Sequence, residues 1–161
     1  MKFFENSKDS EDFLRKDGNS NNVLFLPAFN GLGAPYWNSE IRGGFYGITQ
    51  DTSIEDMTTA AFQSVAFQTK DLTNILSLYD IKIQKLLVDG GMVSNKTFCQ
   101  VLADTLQIEI VKPKNVESTA IGACKVAMLS SGMSIENLSK NEISYKANKD
   151  RRDVYFRNYS K

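Results

Sequence analysis

Short apolar runs alternate with helix-patterned stretches along most of this chain, and that alternation limits its architecture more than any other feature. Val23-Leu24-Phe25-Leu26-Pro27 reads as a buried strand that Pro27 ends. Gly44-Phe45-Tyr46-Gly47-Ile48-Thr49 reads as a second strand. Thr52, with Glu55 three residues on, has the form of a capping box, and the helix behind it is expected to run to about Leu78. Its apolar positions Met57, Ala60, Ala61, Val65, Leu72, Ile75 and Leu76 keep helical spacing. Then come a strand over 85–91, a helix over 95–106 capped by Ser94, and a strand over 108–111 stopped near Pro113. Glu117-Ser118-Thr119 opens a further helix over 120–130, ended by Gly132, and Ser134 caps a short last one. Strands alternating with helices dictate an α/β class with parallel pairing in at least part of the sheet.

Length and charge narrow the function classes. The 161 residues are the size of one domain. Lys+Arg and Asp+Glu each number 19, so the formal net charge is zero, which argues against a nucleic-acid binder working through counterion release. No apolar run approaches the ~20 residues of a membrane span. The opening Met1-Lys2-Phe3-Phe4-Glu5-Asn6 lacks the apolar core of a signal peptide. There is no histidine, which removes Ser-His-Asp and Cys-His catalysis and every His-ligated zinc site. Cys99 and Cys124 stand apart with no CxxC. Two isolated thiols fit a reducing compartment, hence the cytoplasm, and both are expected as buried small hydrophobes.

Three parts are distinguished by composition: a polar lead-in over 1–22, an α/β core over 23–139 and a charged tail over 140–161. The lead-in is expected to hold a short helix over 10–16 followed by a loop. Residues 28–43 form a long irregular segment with Gly31, Gly33, Pro35, Tyr36 and Trp37, whose aromatics are expected to pack it down as a compact element. The tail has little periodicity and reads as a solvated surface segment.

Chemistry concentrates at Leu86-Leu87-Val88-Asp89-Gly90-Gly91-Met92-Val93-Ser94-Asn95. A buried strand ends, two glycines turn, and a helix begins. Glycines let a ligand approach the backbone with no Cβ in the way. The carboxyl end of a strand beside a helix N-terminus is where open α/β sheets bind ligands. Asn95, four residues after Gly91, is expected in the first helical turn, able to hydrogen-bond a base or ribose. A tight βα turn in which Asp89 satisfies backbone N–H groups accounts for the same pattern without a ligand. The segment is neither a Walker loop nor a Rossmann fingerprint, since GxxxxGK[ST] and GxGxxG are both missing. Ala120, Gly122 and Ala123 lie inside a helix, where Gly alone loses about 1 kcal/mol against Ala, so a close helix crossing is expected there.

Several segments together carry a resemblance. Pro27-Ala28-Phe29-Asn30-Gly31-Leu32-Gly33-Ala34-Pro35-Tyr36-Trp37 resembles the loop typical of glycerol kinases, in the FGGY family of carbohydrate kinases. Gly43-Gly44-Phe45-Tyr46-Gly47-Ile48, Asp56-Met57-Thr58-Thr59-Ala60-Ala61-Phe62-Gln63 and Ala66-Phe67-Gln68-Thr69-Lys70-Asp71 are similar to that family's second signature. Val88-Asp89-Gly90-Gly91 and Thr119-Ala120-Ile121-Gly122-Ala123 complete the set in family order, over 23–132. Lys70 stands where Arg is common and Asn38 where Asp is common.

The resemblance implies the actin-like, Hsp70-like ATPase (ribonuclease H-like) fold, with this chain a partial C-terminal domain. It implies that Gly91 and Asn95 contact adenine nucleotide, that Asp89 and Gly90 shape the turn, and that no residue here is the catalytic base or a metal ligand. The implied reaction is phosphorylation of glycerol to glycerol 3-phosphate by ATP with Mg2+, a chemistry of positioning and charge neutralisation. The helix around Gly122 is similar to the one at the interdomain hinge. The family's phosphate loops and base find no match, so the chain is expected to be a fragment, inactive alone, with an N-terminal half or a second copy of itself as a possible partner. The alternative is a non-catalytic remnant or an interaction module that binds adenine nucleotide weakly or pairs with a separate N-terminal half.

Overall fold

The structure, a computed structural model, describes residues 7–114, 118–133 and 142–151. After a 3-10 turn at Ser7–Glu11 come β1 (Leu24–Leu26), β2 (Gly44–Tyr46) and α1 (Ile54–Leu78). Then follow β3 (Lys85–Leu87), a 3-10 turn at Gly91–Ser94, α2 (Lys96–Leu106), β4 (Glu109–Pro113), α3 (Ser118–Ser130) and β5 (Glu142–Tyr145). β1 and β2 pair antiparallel, with Phe25 opposite Phe45 and their rings stacked 4.4 Å apart. β3 pairs parallel with β4, Leu86 opposite Ile110, and β5 adds antiparallel on the far side of β4.

The core lies between α1, α2 and the β3–β4–β5 sheet. Phe98, Cys99, Val101, Leu102, Ala103 and Leu106 give α2 an almost fully buried body, and Ile110 and Ala66 close over it from β4 and α1. Burying such a Leu or Phe side chain contributes about 1.5–3 kcal/mol. Gln107 ends α2 in the left-handed conformation, its N–H donating to Ala103 O at 2.8 Å.

Several local expectations are corrected. α1 is capped by Ser53, not Thr52: the Asp56 N–H donates to Ser53 Oγ, and Asp56 Oδ2 accepts from the Ser53 N–H at 2.9 Å. Ser53 and Asp56 hold the same three-residue spacing one position later, and Thr52 Oγ1 instead accepts from the Thr49 N–H. The buried face of α1 is rich in polar groups (Asp56, Thr58, Thr59, Gln63, Ser64), while Leu72 and Leu76 are exposed. The lead-in explains this. Its backbone needs partners: Gln63 Nε2 donates to Gly18 O at 2.5 Å and Thr59 Oγ1 accepts from the Arg15 N–H at 3.1 Å. Leu14 enters the core, in a bend beyond a 3-10 turn rather than in a helix over 10–16.

The stretch over 140–161 carries a strand: β5 pairs with β4, and Tyr145 packs on the core. Lys85 on β3 and Glu142 on β5 lie 3.6 Å apart. The aromatic loop is closed chiefly by backbone, with a ring contact, Phe29 to Phe25, at 5.9 Å between centroids. Leu32 and Asn38 exchange N–H···O bonds of 2.7 and 2.9 Å, while Phe29 and Trp37 stand largely exposed. Cys99 is buried but Cys124 is exposed. Gly122 meets no close crossing among the described residues, since a Cβ there would touch nothing within 4 Å. The expected helix capped by Ser134 lies outside the described residues.

Candidate functional site

The parallel pair β3–β4 fixes where the glycine turn leaves the sheet. The Val88 N–H donates to Val111 O at 2.9 Å, the last ladder bond before the chain departs. Asp89 follows, exposed, and among the described residues its carboxylate accepts no hydrogen bond. It therefore does not serve as the backbone clasp of a tight βα turn. Gly90 has φ +106°, a conformation that L side chains rarely adopt, and this is why the sequence needs glycine there. Gly91 is different: its φ is ordinary, and a Cβ on it would meet nothing within 4 Å. Its glycine answers no internal steric demand. Open space over both glycines leaves the backbone approachable from solvent.

Asn95 is corrected in position and partly in role. It is the N-cap of α2 rather than a residue of its first turn, and its Oδ1 accepts from the Phe98 N–H at 2.9 Å. Ser94 closes the 3-10 turn instead, donating from Oγ to Gly91 O at 2.6 Å. Asn95 is buried, 8% exposed, and with Oδ1 committed to the helix its amide Nδ2 is the side-chain group left to donate. The Lys96 N–H is taken by Glu11 Oε1 at 3.3 Å, so the lead-in also covers this helix start. Asp89, Gly90, Gly91 and Asn95 thus come together at the carboxyl end of the parallel strands, beside the start of α2, where α/β sheets gather ligands. Among the described residues no three Asp, Glu or Cys side chains converge as a metal site requires.

A second feature lies at the other sheet. A cavity of about 430 Å³ opens between the aromatic loop and α1, lined by Leu26, Pro27, Leu32, Tyr36, Phe67 and Asp71. Tyr36 Oη donates to Asp71 Oδ2 at 2.8 Å, which pushes the phenol above its ordinary 10.0. Tyr36 and Asp71 both fall within family-like segments, but nothing in their spacing announces that they meet.

Comparison with known proteins assigns the class. Residues 5–131 match the C-terminal domain of the FGGY family of carbohydrate kinases, and the chain belongs to that family. The fold is accordingly part of the actin-like ATPase fold. Within the family the similarity is to glycerol kinases. The chain is 39% identical over 149 residues to one from Marinomonas sp. (strain MWYL1), covering 92% of this chain and 30% of that protein. It is 44% identical over 133 residues to one from Streptococcus pneumoniae (strain Hungary19A-6), covering 82% and 26%. The crystal structure of Plasmodium falciparum glycerol kinase with ADP superposes with a TM-score of 0.79 at 28% identity, over 98% of this chain and 33% of that one. The chain therefore spans about a third or less of the length of these relatives. No helix among its described residues is long and apolar enough to cross a membrane.

Proposed function

We propose that this chain forms the adenine-nucleotide side of a glycerol kinase, the enzyme that phosphorylates glycerol from ATP. The observation that carries the reading is Gly91, a glycine with ordinary φ and empty space above it, beside the Asn95 amide at the carboxyl end of β3. A nucleotide can approach the backbone there, with Gly90 setting the bend, Asp89 flanking it and Asn95 donating. The glycerol kinase relatives, one of them solved with ADP, support the same choice of ligand. Mg2+ accompanies the phosphates of the nucleotide, and no residue of this chain is assigned to it.

Binding and orientation of the nucleotide are what these residues supply. The catalytic base and the phosphate clamps are taken to lie outside this sequence, so the chain alone does not turn over glycerol. Charge neutralisation around the transferring group belongs to those absent parts. The exposed apolar helix α3 favours a partner polypeptide carrying them, in the cytoplasm, where Cys99 and Cys124 stay reduced.

The test is an ADP titration of the full chain followed by NMR. Weak binding is expected, about millimolar and thus about −4 kcal/mol, with shifts centred on the amides of residues 90–95. Gly91→Val should abolish the response while circular dichroism stays unchanged, because the side chain enters empty space but blocks the ligand. Unaltered ADP binding by this variant sinks the reading. Glycerol-dependent ADP release by the chain alone would overturn the division of labour.

A further inference from the structure

We propose that Lys112 is a positioning residue for the glycine turn: from the middle of the sheet it clamps the backbone between Gly91 and Asn95 into the geometry that receives the ligand. The proposal rests on the nucleotide reading of that turn, and the observations behind it are independent of any relative.

Lys112 sits on β4 and is only 5% exposed. Its Nζ donates to Val93 O and, at 3.4 Å, to Ser94 O. The Tyr145 ring centroid lies 5.9 Å away. Among the described residues no carboxylate reaches it: the ion pairs there are Arg15–Asp56, Lys85–Glu142 and Arg151–Asp104. Burying an ammonium is costly unless hydrogen bonds replace its water, and a methionine would fill the same space without that cost. What the lysine adds is direction, through charge-assisted bonds to two successive carbonyls.

The turn's other carbonyls show why those two need it. Gly90 O accepts from the Val93 N–H at 3.3 Å, Gly91 O from Ser94 Oγ at 2.6 Å, and Met92 O from the Asn95 N–H at 3.3 Å. All three bonds are internal to the segment and would survive if it swung as a unit. Val93 O and Ser94 O remain, and both turn to the Lys112 ammonium, with Cys99 Sγ adding a contact to Val93 O at 3.2 Å. Val93 and Ser94 lie between Gly91, whose backbone is open, and Asn95, whose amide is the donor. Fixing these two carbonyls to β4 fixes the spacing and tilt of the ligand-facing pair, although Lys112 itself touches no ligand.

The experiment compares the full-length wild type with Lys112→Met and Lys112→Arg by amide hydrogen exchange and ADP titration. In Lys112→Met, exchange over residues 91–98 should rise and ADP affinity should fall, each about tenfold, the scale of one charge-assisted hydrogen bond. Amides of α1 should keep wild-type protection, which a general loss of stability would not allow. Lys112→Arg, which retains donors, should stay within about threefold of wild type on the same scale. Unchanged exchange in Lys112→Met overturns the clamp, and raised exchange with unchanged ADP affinity overturns its positioning role. If Lys112→Met does not fold, Lys112→Gln takes its place under the same criteria. No ADP response in the wild type refutes the nucleotide reading, and with it the role toward ligand, while exchange still decides whether the clamp exists.

Discussion

Arg15 and Asp56 meet across the seam between the N-terminal segment and α1, with guanidinium Nη2 3.0 Å from carboxylate Oδ1. Asp56 is 1% exposed, and both its oxygens are occupied. Oδ1 also accepts from Asn21 Nδ2 at 2.9 Å, and Oδ2 takes the Ser53 N–H and, at 3.0 Å, Ser53 Oγ. One side chain therefore completes the capping box of α1 and holds the lead-in against the helix.

Asp56→Ala removes the carboxylate half of the capping box and strands the Arg15 and Asn21 donors together. Breaking a buried pair from one side costs about 3–5 kcal/mol, and here the lower end applies because Arg15 is about a third exposed. Ser53→Ala, which leaves the Arg15 contact intact, should cost about 1 kcal/mol. Urea unfolding of the two variants checks the ranking. Equal costs would mean that Asp56 acts as a cap alone.

The same residue shows what the sequence could reveal. Periodicity located α1, and the alternation of strands and helices called for parallel pairing in at least part of the sheet, which β3 and β4 supply. The cap slipped by one residue because Thr52–Glu55 and Ser53–Asp56 present the same pattern, and only the tertiary partners of Asp56 decide between them. Charge and low periodicity over 140–161 gave no hint of β5, whose pairing depends on β4 having a free edge. The glycine turn was legible as a strand–Gly-Gly–helix junction. The capping duty of Asn95 and the reach of Lys112 were not, since each depends on a contact formed only on folding.

Gly90 and Gly91 should respond differently to a methyl group. Gly90→Ala must hold a side chain at φ +106°, a strain of order 1–3 kcal/mol, although nothing would touch the new Cβ. Gly91→Ala has neither strain nor clash and should change stability by less than about 1 kcal/mol. Thermal denaturation of both proteins distinguishes them. A Gly91→Ala loss as large as that of Gly90→Ala would show that the space above Gly91 is filled.

Asp104 makes stability depend on pH. Its side chain is fully buried on α2, with Oδ1 accepting from Gln100 Nε2 at 2.7 Å and from the Asn148 N–H at 2.8 Å. Oδ2 has no hydrogen bond, and Arg151 Nη1 lies 3.8 Å away. Burial pushes this carboxyl above its ordinary 3.8, against the opposing pull of Asn148, Gln100 and Arg151. A raised folded-state value means that the folded chain holds its proton longer than the unfolded chain does. Its stabilising contribution is complete below 3.8 and is lost as pH rises through the folded value. Asp104→Asn removes that titration while keeping Oδ1 as an acceptor. Melting curves from about pH 3 to about pH 7 should show the wild type losing ground to the variant as pH increases. Parallel curves would refute the assignment.

Helix α3 sets the last expectation. Apart from Lys125 it carries no charge, and a helix this uniformly apolar is normally buried. Yet Val126 is 68% exposed and Leu129 58%. Val126 and Leu129 are three residues apart and so share one face. A face of this kind marks an interface or an aggregation liability. The isolated chain should therefore bind a hydrophobic dye and scatter light as more than a monomer at high concentration. Val126→Glu combined with Leu129→Glu should suppress both signals with little change in melting temperature, because neither side chain is buried in the core. A wild type that stays monomeric and binds no dye contradicts this expectation, and so does a double variant that behaves identically.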